Sequence, residues 1–306
     1  RSSDLKSVED VPGIDFREGE MCDTRRTAET NTLVVSSVFT LRAGARRLDV
    51  ETPLDNTCKH HRMRVVFPTG LTNCDRTDSE AGYDVISRDI HVKEGNAYYQ
   101  RPNPQYPMHR FVDMSDGAAG FAVVNNSGLR EYEAMDQPDR PLAITLFRAF
   151  TYRNSPVFGR WETYPDMDGA QCIGEHTWSY ALYPHTGDWT SGVFAEAEDM
   201  NLPLQPAQAG PHQGDLPKAM SFFELVGDNL QLTAFKRHED RPDSFVARVF
   251  NPMDRTVDGM LRLHAPVKAA WLTNLNEERR QELNPGGAEI AFSAGKKKII
   301  TIEFHF

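Results

Sequence analysis

Cys58, His60 and His61 stand close together, and thiolate and imidazole are favoured zinc ligands. No second pair follows at finger or ribbon spacing. Neighbouring residues of a strand also point to opposite faces, so His60 and His61 do not readily share one ion. This cluster reads as structural, with no metal assigned. Asp166, Asp168 and Gly169 begin like a calcium loop. Its twelfth position would be Thr177, where calcium needs a bidentate Glu, so a turn is the better reading. No G-x-S-x-G elbow, phosphate-cradling glycine loop or G-x-G-x-x-G fingerprint occurs. Asp and Glu are too numerous for one acid/base pair to stand out, and no catalytic residue is assigned. His176 shares the Trp178 and Tyr180 side of a strand and is expected in the core. His185 follows Pro184 and precedes a turn, so it is expected to be more exposed and a stronger functional candidate.

The segment Thr151 to Gly174 carries the densest mixture of rings and hydrogen-bonding groups: Arg153, Arg160, Trp161, Tyr164, Asp166 and Gln171 among them. Long connections inside compact domains tend to be functional or disordered. Rings stack on the C–H face of a sugar while Arg, Asp and Gln bind its hydroxyls. Alternatively, Trp161 and Tyr164 pin the segment to the body of the protein. Both readings stand.

The elements that would position these groups alternate with period two. Thr32 to Leu41, Arg62 to Thr69, Gly120 to Asn125, Leu142 to Phe150 and Glu175 to Tyr183 read as strands. Turn-forming clusters separate them, such as Asn126-Ser127-Gly128 and Thr186-Gly187-Asp188. One short helix is expected near Val193 to Met200. Residues 201–218 are rich in proline, which cannot run through a central strand. Six more strands follow, between Leu230 and Phe306, with Asn284-Pro-Gly-Gly as their clearest turn. The fold class is all-β: a large antiparallel β-sandwich over 1–215, then a smaller C-terminal β-sandwich over 216–306.

Composition narrows function. The 306 residues carry 44 Asp and Glu against 34 Lys and Arg, a formal charge of −10. Nucleic-acid binders carry a basic face, so no nucleic-acid partner is expected. Mean hydropathy is −0.54, and no apolar run is long enough for a membrane helix. The four cysteines form no C-x-x-C pair and read as free thiols of a reducing, cytoplasmic setting. The chain starts at Arg1 without a signal-like segment, which suggests a piece of something longer.

Four segments occur in order: DNTCKHHRMRVVFPTG, HRFVDMSDGAAGFAVVNNSGLREYE, ITLFRAF and GAQCIGEHTWSYALYPHTGDW. Together they resemble the C-terminal half of glycoside hydrolase family 38 α-mannosidases. The later stretch LTAFKRHEDRPDSFVARVFNPMDRTVDGMLRL resembles that family's terminal β-domain. The likeness runs from about Arg47 to Leu283. His60 departs from it, standing where many relatives have an acidic residue. The resemblance implies a retaining, zinc-dependent enzyme whose metal ligands and aspartate nucleophile lie in an N-terminal α/β barrel. None of those motifs is present, so this chain is expected to be the non-catalytic sandwich part, with no cofactor of its own. Its implied partners are that barrel and a mannose-containing glycan. The family's sandwich can lend a loop to the sugar pocket, and Tyr152 to Gly174 is the candidate. Arg160 would bind a hydroxyl through its planar fork, with Arg153 and Gln171 as the next substrate-binding candidates. An independent lectin-like module is the alternative.

Overall fold

The computed structural model describes residues 2–8, 26–91, 103–150, 152–154, 161–163 and 168–306, the short pieces 2–8, 26–29, 152–154 and 161–163 by backbone alone. Strands β1 (Ser2–Val8) and β2 (Arg26–Val34) pair antiparallel. A seven-stranded antiparallel sheet follows in the order β3-β4-β15-β10-β9-β6-β7. Its members are β3 (Val38–Thr40), β4 (Leu48–Asn56), β6 (Arg76–Glu80), β7 (Val85–Asp89), β9 (Phe111–Ser115), β10 (Ala119–Asn125) and β15 (Gly174–Thr186). A four-stranded sheet faces it in the order β5-β12-β11-β8. Those strands are β5 (Arg62–Phe67), β8 (Tyr106–Pro107), β11 (Glu131–Ala134) and β12 (Leu142–Arg148).

Alternation explains the layering. Val50, Leu54, Val112, Met114, Val123, Trp178 and Tyr180 point from the large sheet into the core. They meet Tyr132, Leu142, Ile144 and Leu146 from the small one. Trp178 is 7% exposed and Tyr180 2%, as their shared face requires, while His176 lies half-buried beside them. Thr32 to Leu41 is not one strand: Val35 to Ser37 separate β2 from β3. Pro53 sits inside β4, opposite Thr177 of β15. Its missing N–H costs no ladder bond, because β3 pairs only with Asp49 to Glu51 on the other side.

The outer face of the seven-stranded sheet is covered by α1 (Val193–Asn201). Phe194 inserts edge-on against Phe111 at 5.0 Å between centroids, and Val193 and Ala197 are buried with it. This first compact unit comprises 1–80 and 86–203; the second comprises 81–85 and 204–306.

The second unit is a smaller sandwich. Its three-stranded sheet has the order β16-β19-β22: β16 (Phe223–Val226), β19 (Val257–Leu263) and β22 (Glu289–Ala294). The five-stranded sheet has the order β17-β18-β23-β20-β21: β17 (Gln231–Arg237), β18 (Phe245–Phe250), β20 (Ala269–Thr273), β21 (Arg279–Leu283) and β23 (Ile299–His305). Leu261, Ile290 and Phe292 pack against Ala247, Val249, Ile302 and Phe304. The Asn284 turn forms as read: Gly287 adopts φ 70°, open to glycine without strain, and Gly286 bridges to Glu289.

Candidate functional site

The segment between β12 and β15 is a hairpin, β13 (Tyr152–Asn154) paired antiparallel with β14 (Trp161–Thr163). Arg153 lies opposite Glu162. Arg160, Tyr164 and Asp166 fall outside the described residues, as do the side chains of Arg153 and Trp161. A single 3-10 turn, Asp168–Gln171, leads back to β15.

The base of this segment is clamped by Asn56, which has no exposed surface. Its Nδ2 donates to the Gln171 and Cys172 carbonyls at 3.0 and 2.8 Å, and its Oδ1 accepts from the Cys58 amide at 3.1 Å. Gln171 is 3% exposed. Its Oε1 accepts from the His60 amide at 2.9 Å, while the Phe150 amide donates to Ala170 at 3.1 Å. His60 and Cys172 hold positive φ values of 57° and 50°. Two tight turns, tied together through the buried Asn56 and Gln171 side chains, therefore fix where the segment rejoins the sandwich. His176 donates from Nε2 to the Cys172 carbonyl at 2.8 Å. Phe147 stacks on Trp178 at 5.6 Å and 11°, and His61 meets Phe147 edge-on at 5.0 Å. Burial pushes the His61 pKa down, against the Lys59 carbonyl beside it. Cys58, His60 and His61 therefore serve a packed turn. Among the described residues no three His, Cys, Asp or Glu side chains are grouped to hold a metal ion, so the described side chains do not fit zinc.

His185 is not exposed. Its side chain is 2% exposed and pairs through Nε2 with Asp113 Oδ1 at 2.8 Å; Asp113 itself is fully buried. Nδ1 lies 3.2 Å from the Thr186 carbonyl. The ring lies where a side chain at position 120 would be, and a Cβ on Gly120 would overlap it. Glycine across the ladder is what lets this histidine turn inward, a cross-strand relation that a local reading of residues 183–188 cannot show. Both ring nitrogens face oxygen acceptors, which favours the imidazolium. Burial opposes the charge, but the Asp113 bond and charge outweigh it and raise the pKa.

A second polar region escapes local sequence reading altogether. Val50 and Tyr180 point into the core, so Asp49, Glu51 and Ser179 face outward. α1 covers β9 and β10 but stops short of the β3 edge. The result is a cavity of about 300 Å³. Val38, Thr40 and Ser179 form its floor, and Asp199 and Met200 at the end of α1 form one wall. Arg47 braces that wall, donating to Asp49 at 2.9 Å, Glu196 at 3.1 Å and Asp199 at 2.7 Å. Asn126 Nδ2 donates to the Met200 carbonyl at 3.3 Å. These residues span positions 38 to 203, and no motif links them.

Two family profiles match the chain in order. "Glycosyl hydrolases family 38 C-terminal domain" matches residues 17–167, and "Glycosyl hydrolases family 38 C-terminal beta sandwich domain" matches residues 229–302. A protein named "Putative mannosylglycerate hydrolase" from Halalkalibacterium halodurans is 28% identical over 280 residues, 91% of this chain. Mouse "Alpha-mannosidase 2C1" is 27% identical over 72% of it. The crystal structure of an alpha-mannosidase from Enterococcus faecalis V583 superposes on all of this chain with a TM-score of 0.78 at 23% identity. The chain spans 29%, 19% and 33% of the lengths of those three proteins.

Proposed function

Because the chain belongs to glycoside hydrolase family 38, as its C-terminal β-sandwich region, we propose that it is the non-catalytic portion of a retaining, zinc-dependent α-mannosidase. The observation that carries this reading is the ordered match of two family 38 profiles across the chain, with relatives about three to four times as long. A retaining glycosidase needs two carboxyl groups about 5–5.5 Å apart, one as nucleophile and one as acid. We place that pair, and any zinc, in the catalytic barrel of the longer protein, against which this region packs. The substrate class is an α-mannoside.

The chain's own part in catalysis would be positional. The β13–β14 hairpin is the segment we assign to the rim of the sugar pocket. Arg160 would donate to mannose hydroxyls, with Arg153 as its neighbour in that role. Gln171 would act from below: its amide holds the His60 turn, and so sets the angle at which the segment rejoins the sandwich. The test is the full-length enzyme acting on an aryl α-mannoside. The reading expects α-mannose as the first-formed anomer, zinc-dependent turnover, and loss of activity when residues 1–306 of this region are deleted. A first-formed β-anomer, or full activity without the sandwich, would refute it.

A further inference from the structure

We propose that the cavity between β3, β4, β15 and the end of α1 is a glycan-binding site, taking a single neutral pyranose with vicinal hydroxyls. Its lining favours a neutral polyol over an ion. Arg42 and Arg47 oppose Asp49, Glu51 and Asp199, and Arg47 is already spent on two of these carboxylates. A metal ion would meet these arginines, and an anion would meet the carboxylates. A sugar hydroxyl is both donor and acceptor, so it suits a wall where the two kinds of group alternate. Among the described residues, the Glu51 carboxylate and the Ser179 hydroxyl have no hydrogen-bond partner. They face the same space across one rung of the ladder, since Ser179 pairs with Glu51 and Glu51 with Val38.

Shape agrees. The floor is made of short side chains, Val38, Thr40 and Ser179, leaving a shelf against which the C–H face of a ring can lie. The volume of about 300 Å³ is at the lower end for small-molecule sites, which suits one ring better than an extended chain. The wall is preformed: Arg47 ties α1 to β4, with only 12% of its side chain exposed. Binding would therefore order little that is not ordered already. The site is independent of the mannosidase reading, because a glycan held here need not be cleaved.

Saturation-transfer NMR on the 306-residue chain with methyl α-D-mannopyranoside tests the proposal, beside Glu51→Ala and Ser179→Leu. Glu51 is solvent-exposed, so its truncation should leave the fold intact, and circular dichroism checks both variants. The expected result is a dissociation constant of about 1 mM, the range of weak recognition, with at least a roughly tenfold loss in each variant. Ser179→Leu should act by filling the shelf. No saturation transfer to the sugar, or transfer that both folded variants leave unchanged, overturns the site. Neither result bears on whether the longer enzyme hydrolyses mannosides.

Discussion

Trp178 stacks on Phe147 at 5.6 Å and on His176 at 5.5 Å and is 7% exposed, part of the large core. Truncating it removes a buried indole that its neighbours cannot refill. Trp178→Ala should cost about 3–5 kcal/mol in denaturant melts; a loss under about 1 kcal/mol would mean the face is not packed. Gly120 tests a different idea. A methyl there collides with the His185 ring, so Gly120→Ala should expel the imidazole and break the Asp113 pair, leaving a carboxylate buried and unpaired. A cost of about 3 kcal/mol or more is expected. The same pair gives a pH signature. The folded His185 pKa lies above its ordinary value, so its contribution is full below about 6.5 and falls as pH rises through the folded pKa. His185→Gln should flatten that alkaline loss. An unchanged stability–pH curve would show that His185 is not the group responsible. The inward turn of His185 was not legible locally, because what admits it is an absent side chain 65 positions away across the ladder, Gly120 against His185.

At the scale of elements, strands rich in apolar and aromatic residues were plain in the sequence: β10 and β12 lie within one or two residues of their expected bounds, and β15 starts one residue early and runs three past the expected Tyr183. Others were not. β21, Arg-Arg-Gln-Glu-Leu, is exposed along almost its whole length, so no apolar alternation marks it. It is held instead by charge. Arg279 from β21 and Arg241 from the β17–β18 connection both grip Glu303 of β23, with contacts of 2.8–2.9 Å. Burial alone would raise the Glu303 pKa, but these charge-assisted bonds pull it down to about 2. Its contribution is therefore present above the ordinary value of 4.5 and lost as pH falls through about 2. On the order of 3 kcal/mol is at stake. Glu303→Gln should destabilise the small sandwich at neutral pH and remove that acid-dependent step; an acid limb identical to wild type would contradict it. The hairpin β13–β14 was legible only as a long, ring-rich connection. Its proposed reach is tested by Arg160→Ala in the full-length enzyme, where charge-assisted bonds worth about 1.5–3 kcal/mol imply a fall in kcat/KM of roughly tenfold to a hundredfold. Unchanged kinetics would confine the hairpin to a structural role.

For the molecule as a whole, the order of segments carried more information than any motif. The cavity at the end of α1 shows the limit: its lining is collected from β3, β4, β15, α1 and the turn after β10, and only the strand pairing brings it together. The proline-rich stretch marks the place where the chain passes between units, which divide at Pro203 and Leu204. No helix among the described residues is long and apolar enough to cross a membrane. Since the matched profiles are those of C-terminal domains, the purified 306-residue chain should be folded and β-rich. It should release nothing from chromogenic α-mannosides, with or without added zinc. Zinc-dependent turnover by this chain alone would place catalysis inside it and reverse the proposal.

The pairing of β4 with β15 sets the order in which the large sandwich can come into being. Asn56 meets Gly174 and Leu48 meets Leu182, partners 118 and 134 positions apart. Closing so long a loop costs entropy before any of the contacts across it are made. The β9–β10 pair needs only a three-residue turn between Ser115 and Ala119 and can form as soon as it leaves the ribosome. It must then wait, with the edge of β10 unpaired, until β15 has been synthesised. During that interval Val123 and Val124, both fully buried in the finished protein, border an open strand edge, the condition under which nascent chains pair with one another. Pulse-labelling hydrogen exchange should find the β9–β10 amides protected before those of β4. Production of the sandwich should then be limited by association of incomplete chains, well before the stability of the finished fold sets any limit.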